Sequence, residues 1–157
     1  MSATIHVPDV CERDIDLMLL EEFVASEAFR SWFLSQIGGE STAGLTEARR
    51  SVKTETGESN LELTFLKSSG SLKILIENKV DAAFQPNQPQ RYLERAAKYR
   101  NGGNYGEVVT VVIAPKVYFG EDDEKYGFDA RVTYESVLLW FSNNEHASPR
   151  TDSLLSG

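Results

Sequence analysis

Residues Leu72 to Val80 read LKILIENKV, an aliphatic strand that places Glu77, Asn78 and Lys79 where more core is expected. A run this apolar predicts a strand buried on both faces. Burying a carboxylate or an ammonium there costs several kcal/mol each unless the charge is paired or bound to a metal. Side chains alternate along a strand, so Glu77 and Lys79 share one side, roughly 6 to 7 Å apart along the backbone. A metal held by Glu77 would lie beside an ammonium able to orient or deprotonate a water, which is a hydrolytic arrangement.

The neighbouring segments set this strand in a sheet. Immediately before it, Asn60 to Lys67 (NLELTFLK) alternates, with Leu61, Leu63 and Phe65 on one face and Asn60, Glu62 and Thr64 on the other. The turn Ser68-Ser69-Gly70 joins the two strands, and a further strand is expected over about 48–55. After a loop containing Pro86 and Pro89, Gln90 to Arg100 predicts a helix that stops at Asn101-Gly102-Gly103. Val108 to Ala114 (VVTVVIA) is a continuous β-branched run, the pattern of a buried strand. Toward the N-terminus, Asp9 and Glu12 cap a helix carried by Ile15, Leu19 and Phe23. Ser26 opens a second helix, with Phe29, Trp32, Phe33 and Ile37, stopped by Gly38-Gly39, and residues 40–47 read as a polar connection. Beyond Pro115, Glu121 to Lys125 is an acidic solvated stretch. Phe128 to Val132 predicts a short strand, and Tyr134 to Phe141 a helix packed through Val137, Leu138 and Phe141. The expectation is an α/β sandwich forming a single domain over 1–142, with a polar tail over 143–157.

Composition narrows the function classes. A chain of 157 residues with 41% hydrophobic content suits one domain with one sizeable core. Sixteen basic against 24 acidic residues give a net charge of −8, which argues against a sequence-independent nucleic-acid coat. It leaves room for an enzyme with one local basic face and a divalent metal. A single cysteine, Cys11, excludes an internal disulfide and a cysteine-based zinc site, and His6 and His146 stand near opposite ends with no partner at metal-ligand spacing. Ile15 to Leu20, interrupted by Asp16, is too short and too charged for a signal peptide or membrane span. A cytoplasmic protein is expected.

The order of residues is more specific than any of these. A first helix carries Glu12, ETGESNLEL begins at Glu55, IENK ends at Lys79, and QPNQPQRY begins at Gln85. From about residue 9 to 141 the chain resembles the PD-(D/E)xK nuclease superfamily, with its restriction-endonuclease-like fold. The resemblance implies an αβββαβ core, a mixed sheet flanked by helices, acting on DNA with Mg²⁺ or Mn²⁺. Carried over, it makes Glu77 a metal ligand, gives the carbonyl of Asn78 to the same metal, and makes Lys79 the catalytic lysine that positions the attacking water. Gln88 and Tyr92 match the family's helix element.

The departure is Asn60, which stands where branches of the family carry an aspartate. An amide oxygen is a weaker ligand for a hard cation than a carboxylate. Glu62 shares the face of Asn60 and is the natural substitute, with Glu55 and Glu12 as further candidate ligands. Glu12 also has a capping role to fill, and Glu55 and Glu58 beside Gly57 also read as turn charges. The first functional expectation is a metal-dependent nuclease cleaving DNA phosphodiesters. The alternative is a nuclease-fold module whose catalysis has decayed and which binds nucleic acid or a protein partner. In a third reading the Glu77–Lys79 pair belongs to an ion-pair network of a structural subunit. Arg91, Arg95 and Lys98, followed by Arg100 and interleaved with Tyr92 and Tyr99, form a basic run suited to phosphates or simply to solvent; Arg49, Arg50 and Lys53 are candidates to flank the same groove. NGGNYG at 101–106 lacks the Lys-Ser/Thr ending of a phosphate cradle and reads as a helix stop. A homodimer is one way to complete a groove on so short a chain.

Overall fold

The computed structural model describes residues 7–39, 43–54, 57–79, 88–120 and 127–144, with the side chains at 7–14, 51, 53–54, 57–58 and 88 outside that description. Three strands, β1 (Gly44–Thr54), β2 (Gly57–Lys67) and β3 (Gly70–Asn78), form an antiparallel meander. The turn expected at Ser68-Ser69-Gly70 joins β2 to β3, and Gly70 accepts a φ of 132° that a side chain would resist. The third strand is buried at every position from Leu72 to Asn78, as its unbroken apolar run predicts.

A parallel neighbour requires a crossover, and α3 (Gln88–Asn101) provides it, returning the chain as β4 (Glu107–Ala114) parallel to β3. A short 3-10 turn at Lys116–Phe119 precedes β5 (Ala130–Thr133), which adds parallel to β4. The sheet order is β1-β2-β3-β4-β5, a mixed sheet.

Alternation divides the hydrophobic residues between two layers. Leu61, Leu63, Phe65, Leu72, Ile74 and Ile76 pack beneath α1 (Val7–Ala25), α2 (Glu27–Gln36) and α4 (Tyr134–Asn143). Aromatic rings fill this layer: Phe29 lies 4.9 Å from Phe23 and 5.1 Å from Trp140. On the other face Leu75, Val112 and Ala114 pack with Tyr92 and Ala96 of α3 and with Phe119 and Phe128. Ser26 caps α2 by accepting from the Phe29 N–H, and Thr133 caps α4 by accepting from the Ser136 N–H, each at 3.1 Å.

Several boundaries differ from the sequence expectation. The β1 strand begins at Gly44, so residues 44–47 are strand and not a polar connection. A register shift between Leu45 and Glu47 breaks the alternation on this outer strand, which is why pattern alone missed it. Helix α3 starts at Gln88 with Pro89 in its first turn, where a missing N–H costs nothing. Phe128 precedes β5 and packs into the second layer. In α4 the buried side is Val137 and Trp140 with Phe141 packed beside them, while Leu138, expected inside, is exposed, because spacings of three and four bring 137, 140 and 141 onto one face. Residues 101–106 act as the expected helix stop, with Gly103 at φ 78°. The acidic stretch 121–125 lies outside the described residues. Among the described residues no helix is long and apolar enough to cross a membrane.

Candidate active site

At the C-terminal end of β3 the ladder with β2 stops, while pairing with β4 continues to Asn78 opposite Ile113. The β2–β3 ladder runs to Leu61 opposite Ile76. Beyond it, Asn60 Oδ1 accepts the Asn78 N–H at 2.7 Å. On the opposite edge the Lys79 N–H donates to the carbonyl of Ile113 in β4 at 2.8 Å. The Asn78 side chain points to the α1 layer, where its Nδ2 donates to Asp16 Oδ1 at 2.7 Å. The tripeptide Glu77-Asn78-Lys79 is therefore fixed from β2, from β4 and from α1.

Glu77 and Lys79 point together toward the α3 layer, with Lys79 Nζ 3.7 Å from Glu77 Oε1. They are 3% and 6% exposed. The other carboxylate oxygen, Oε2, accepts the Tyr92 hydroxyl at 2.6 Å. The same phenol oxygen lies 3.3 Å from the Ile76 carbonyl and accepts the Asn60 N–H at 3.3 Å. Tyr92 thus ties α3 to β2 and β3 at the point where the acid stands. Burial, followed by the negative charge of Glu77 and its hydrogen bond, holds the Tyr92 phenol well above the ordinary tyrosine value. It remains a neutral donor to the carboxylate.

A second charged cluster occupies the same layer. Glu62 is fully buried and accepts the Tyr99 hydroxyl at 2.7 Å. Lys73 Nζ lies 3.3 Å from Glu62 Oε1, and Arg95 lies 3.8 Å from its Oε2. The rings of Tyr99 and Tyr105 flank the Lys73 ammonium at 5.0 and 5.2 Å. Arg95 also donates to Ser59 Oγ and lies 5.9 Å from the Tyr92 ring centre. Burial, then the hydrogen bond to Glu62, raises the Tyr99 phenol as well.

The two acids of this layer therefore have different surroundings: Glu77 meets Lys79 and Tyr92, while Glu62 meets Lys73, Arg95 and Tyr99. The carboxylate ranked first by sequence as a replacement for the strand acid is engaged by two cations and a phenol. Of the basic run on α3, Arg91 and Lys98 are exposed, whereas Arg95 is 2% exposed and turned inward. Arg49 and Arg50 are exposed on β1. Glu55 lies outside the described residues, as do the side chains of Glu12, Lys53 and Gln88. Sequence reasoning missed Lys73 and Asp16. Lys73 carried a signal, since it falls on the face that alternation assigns to Glu77; Asp16 carried none, because its partner lies 62 residues away.

Among the described residues no three His, Cys, Asp or Glu side chains converge as a metal cluster. The donors around Glu77 are one carboxylate and amide or carbonyl oxygens, all hard. Such a set suits Mg²⁺ or Mn²⁺, because Mg²⁺ is commonly bound through one or two carboxylates, with water and substrate phosphate completing its shell.

No curated protein and no solved structure matches the chain. The family model for the PD-(D/E)XK nuclease superfamily matches residues 18–152, which include β2, the Glu77-Asn78-Lys79 tripeptide and α3 with Tyr92. With its mixed five-stranded sheet and its Glu-x-Lys strand end, the chain belongs to the PD-(D/E)XK nuclease superfamily.

Proposed function

We propose that this protein is a metal-dependent nuclease that hydrolyses phosphodiester bonds of DNA, with Glu77 and the Asn78 carbonyl holding Mg²⁺ or Mn²⁺ and Lys79 orienting the attacking water. The observation that carries the reading is the buried Glu77–Lys79 pair, 3.7 Å apart on one face at the end of a central strand. Membership of a nuclease superfamily supplies the reaction class.

Phosphodiester hydrolysis builds negative charge on the attacked phosphate. A divalent metal, when bound, offsets that charge and lowers the pKa of a coordinated water. The chain's own residues fix the geometry. Tyr92 donates to one oxygen of Glu77 and so sets the plane of the carboxylate, leaving Oε1 on the side of Lys79. The Lys79 ammonium, held beside Glu77, is a donor suited to a water or a phosphate oxygen. Arg91 and Lys98, exposed on α3, are the cations available to contact flanking phosphates.

The test is cleavage of supercoiled, double-stranded and single-stranded DNA with Mg²⁺ or Mn²⁺. Wild-type cleavage that falls at least about a hundredfold in both Lys79→Ala and Glu77→Gln is expected, since each variant removes a group acting at the phosphate. Asn60 favours a second reading, a decayed module that binds a nucleic acid or protein partner, because it supplies no negative charge. A silent wild type with activity gained in Asn60→Asp would establish that second reading in place of the first.

A further inference from the structure

Asn60 is a residue of the site whose chemistry the nuclease reading leaves unused. Its oxygen is oriented: Oδ1 accepts the Asn78 N–H at 2.7 Å, so Nδ2 must point the other way. Its main-chain N–H is also engaged, on the Tyr92 hydroxyl at 3.3 Å. Among the described residues no acceptor takes the two Nδ2 hydrogens, and the side chain is half-buried at the strand end that carries Glu77 and Lys79. A fixed amide with two donors, beside a carboxylate and an ammonium whose charges cancel, faces an anion better than it faces a cation.

We propose that Asn60 is a substrate-binding residue, presenting Nδ2 to a non-bridging oxygen of the phosphate held at Glu77 and Lys79. This rests on the phosphodiesterase reading of that site and extends it. A carboxylate at this position would repel the phosphate until a metal intervened. The amide attracts it directly, so part of the substrate affinity is independent of metal.

The experiment measures binding of a fluorescein-labelled DNA duplex by anisotropy in EDTA, with cleavage in Mg²⁺ followed in parallel, for wild type, Asn60→Asp and Asn60→Ala. Asn60→Asp keeps an oxygen for the Asn78 N–H, so thermal melting should confirm that it folds. The expected result is wild-type binding in EDTA that weakens about tenfold or more in Asn60→Asp, where a charge-assisted donor becomes a repelling charge, and several-fold in Asn60→Ala. In cleavage, KM should rise more than kcat falls. A residue that merely braced Asn78 would leave Asn60→Asp binding unchanged. Binding by Asn60→Asp as tight as wild type, or faster cleavage, overturns the assignment while leaving the nuclease reading standing. A wild type that neither binds nor cleaves DNA overturns the nuclease reading and the assignment with it.

Discussion

At the scale of single residues, Tyr92 does the most to shape the site. Its hydroxyl donates to a buried carboxylate and accepts from the Asn60 N–H, so Tyr92→Phe removes one donor and one acceptor together. A hydrogen bond to a charged group is worth about 1.5–3 kcal/mol, and urea denaturation of Tyr92→Phe should show a loss of that order. The pH dependence follows from the raised phenol. A group whose folded pKa lies above its unfolded value contributes stability that is complete below the ordinary tyrosine value, near 10, and is lost as pH rises through the folded one. Wild-type stability should therefore decline above about pH 10, with a shallower decline in Tyr92→Phe, read from denaturation midpoints across alkaline pH. Alternation along one strand was enough to put Glu77 and Lys79 side by side from sequence. The clasp of Asn78 by Asp16 was not legible, because nothing local to either residue encodes a contact across the core.

Between elements, α3 shows where periodicity reads well and where charge misleads. Tyr92, Arg95, Ala96 and Tyr99 are spaced three and four apart and form the inward side of the helix, while Arg91 and Lys98 stay in solvent. Grouping all three cations as one basic run overlooked that Arg95 occupies an apolar-stripe position, tolerated because β2 brings Glu62 beneath it. Two consequences separate these cations. Glu62→Gln removes the counter-charge that buried Lys73 and Arg95 share, leaving Lys73 the half-exposed Glu47 at 3.8 Å, a change that costs up to about 3–5 kcal/mol, and Arg95→Ala should destabilise in the same direction by leaving Glu62 with Lys73 and the Tyr99 hydroxyl. Arg91→Ala and Lys98→Ala should leave stability within about 0.5 kcal/mol and instead reduce the salt dependence of DNA binding by about one unit of slope each. Urea melts and salt-dependent anisotropy on the same four variants distinguish the inward cation from the outward ones. The early start of β1 escaped sequence reading for a similar reason: its ladder with β2 carries residues 44–47 through a register shift that no alternating pattern reveals.

For the whole molecule the governing fact is a net charge of −8 on a chain whose proposed substrate is a polyanion. Long-range attraction cannot gather DNA to such a surface, so affinity must come from local groups and from cations recruited to the site. The same reasoning makes metal binding visible in global stability. A cation that binds only the native state adds RT ln(1 + [L]/Kd), about 2.7 kcal/mol at a hundredfold excess over Kd. For a chain of 157 residues each kcal/mol moves Tm by roughly 2–4 °C, so saturating Mg²⁺ or Mn²⁺ should raise Tm by about 5–11 °C. EDTA should reverse the shift, and Glu77→Gln should abolish it without abolishing the fold. The Arg91→Ala variant, altered at an exposed position of α3, should keep the full shift. A wild-type Tm indifferent to both metals would instead remove the metal site and leave the decayed module or the ion-pair network of a structural subunit. The reason is thermodynamic: a site that binds a cation in the native state alone cannot do so without stabilising the fold that builds it.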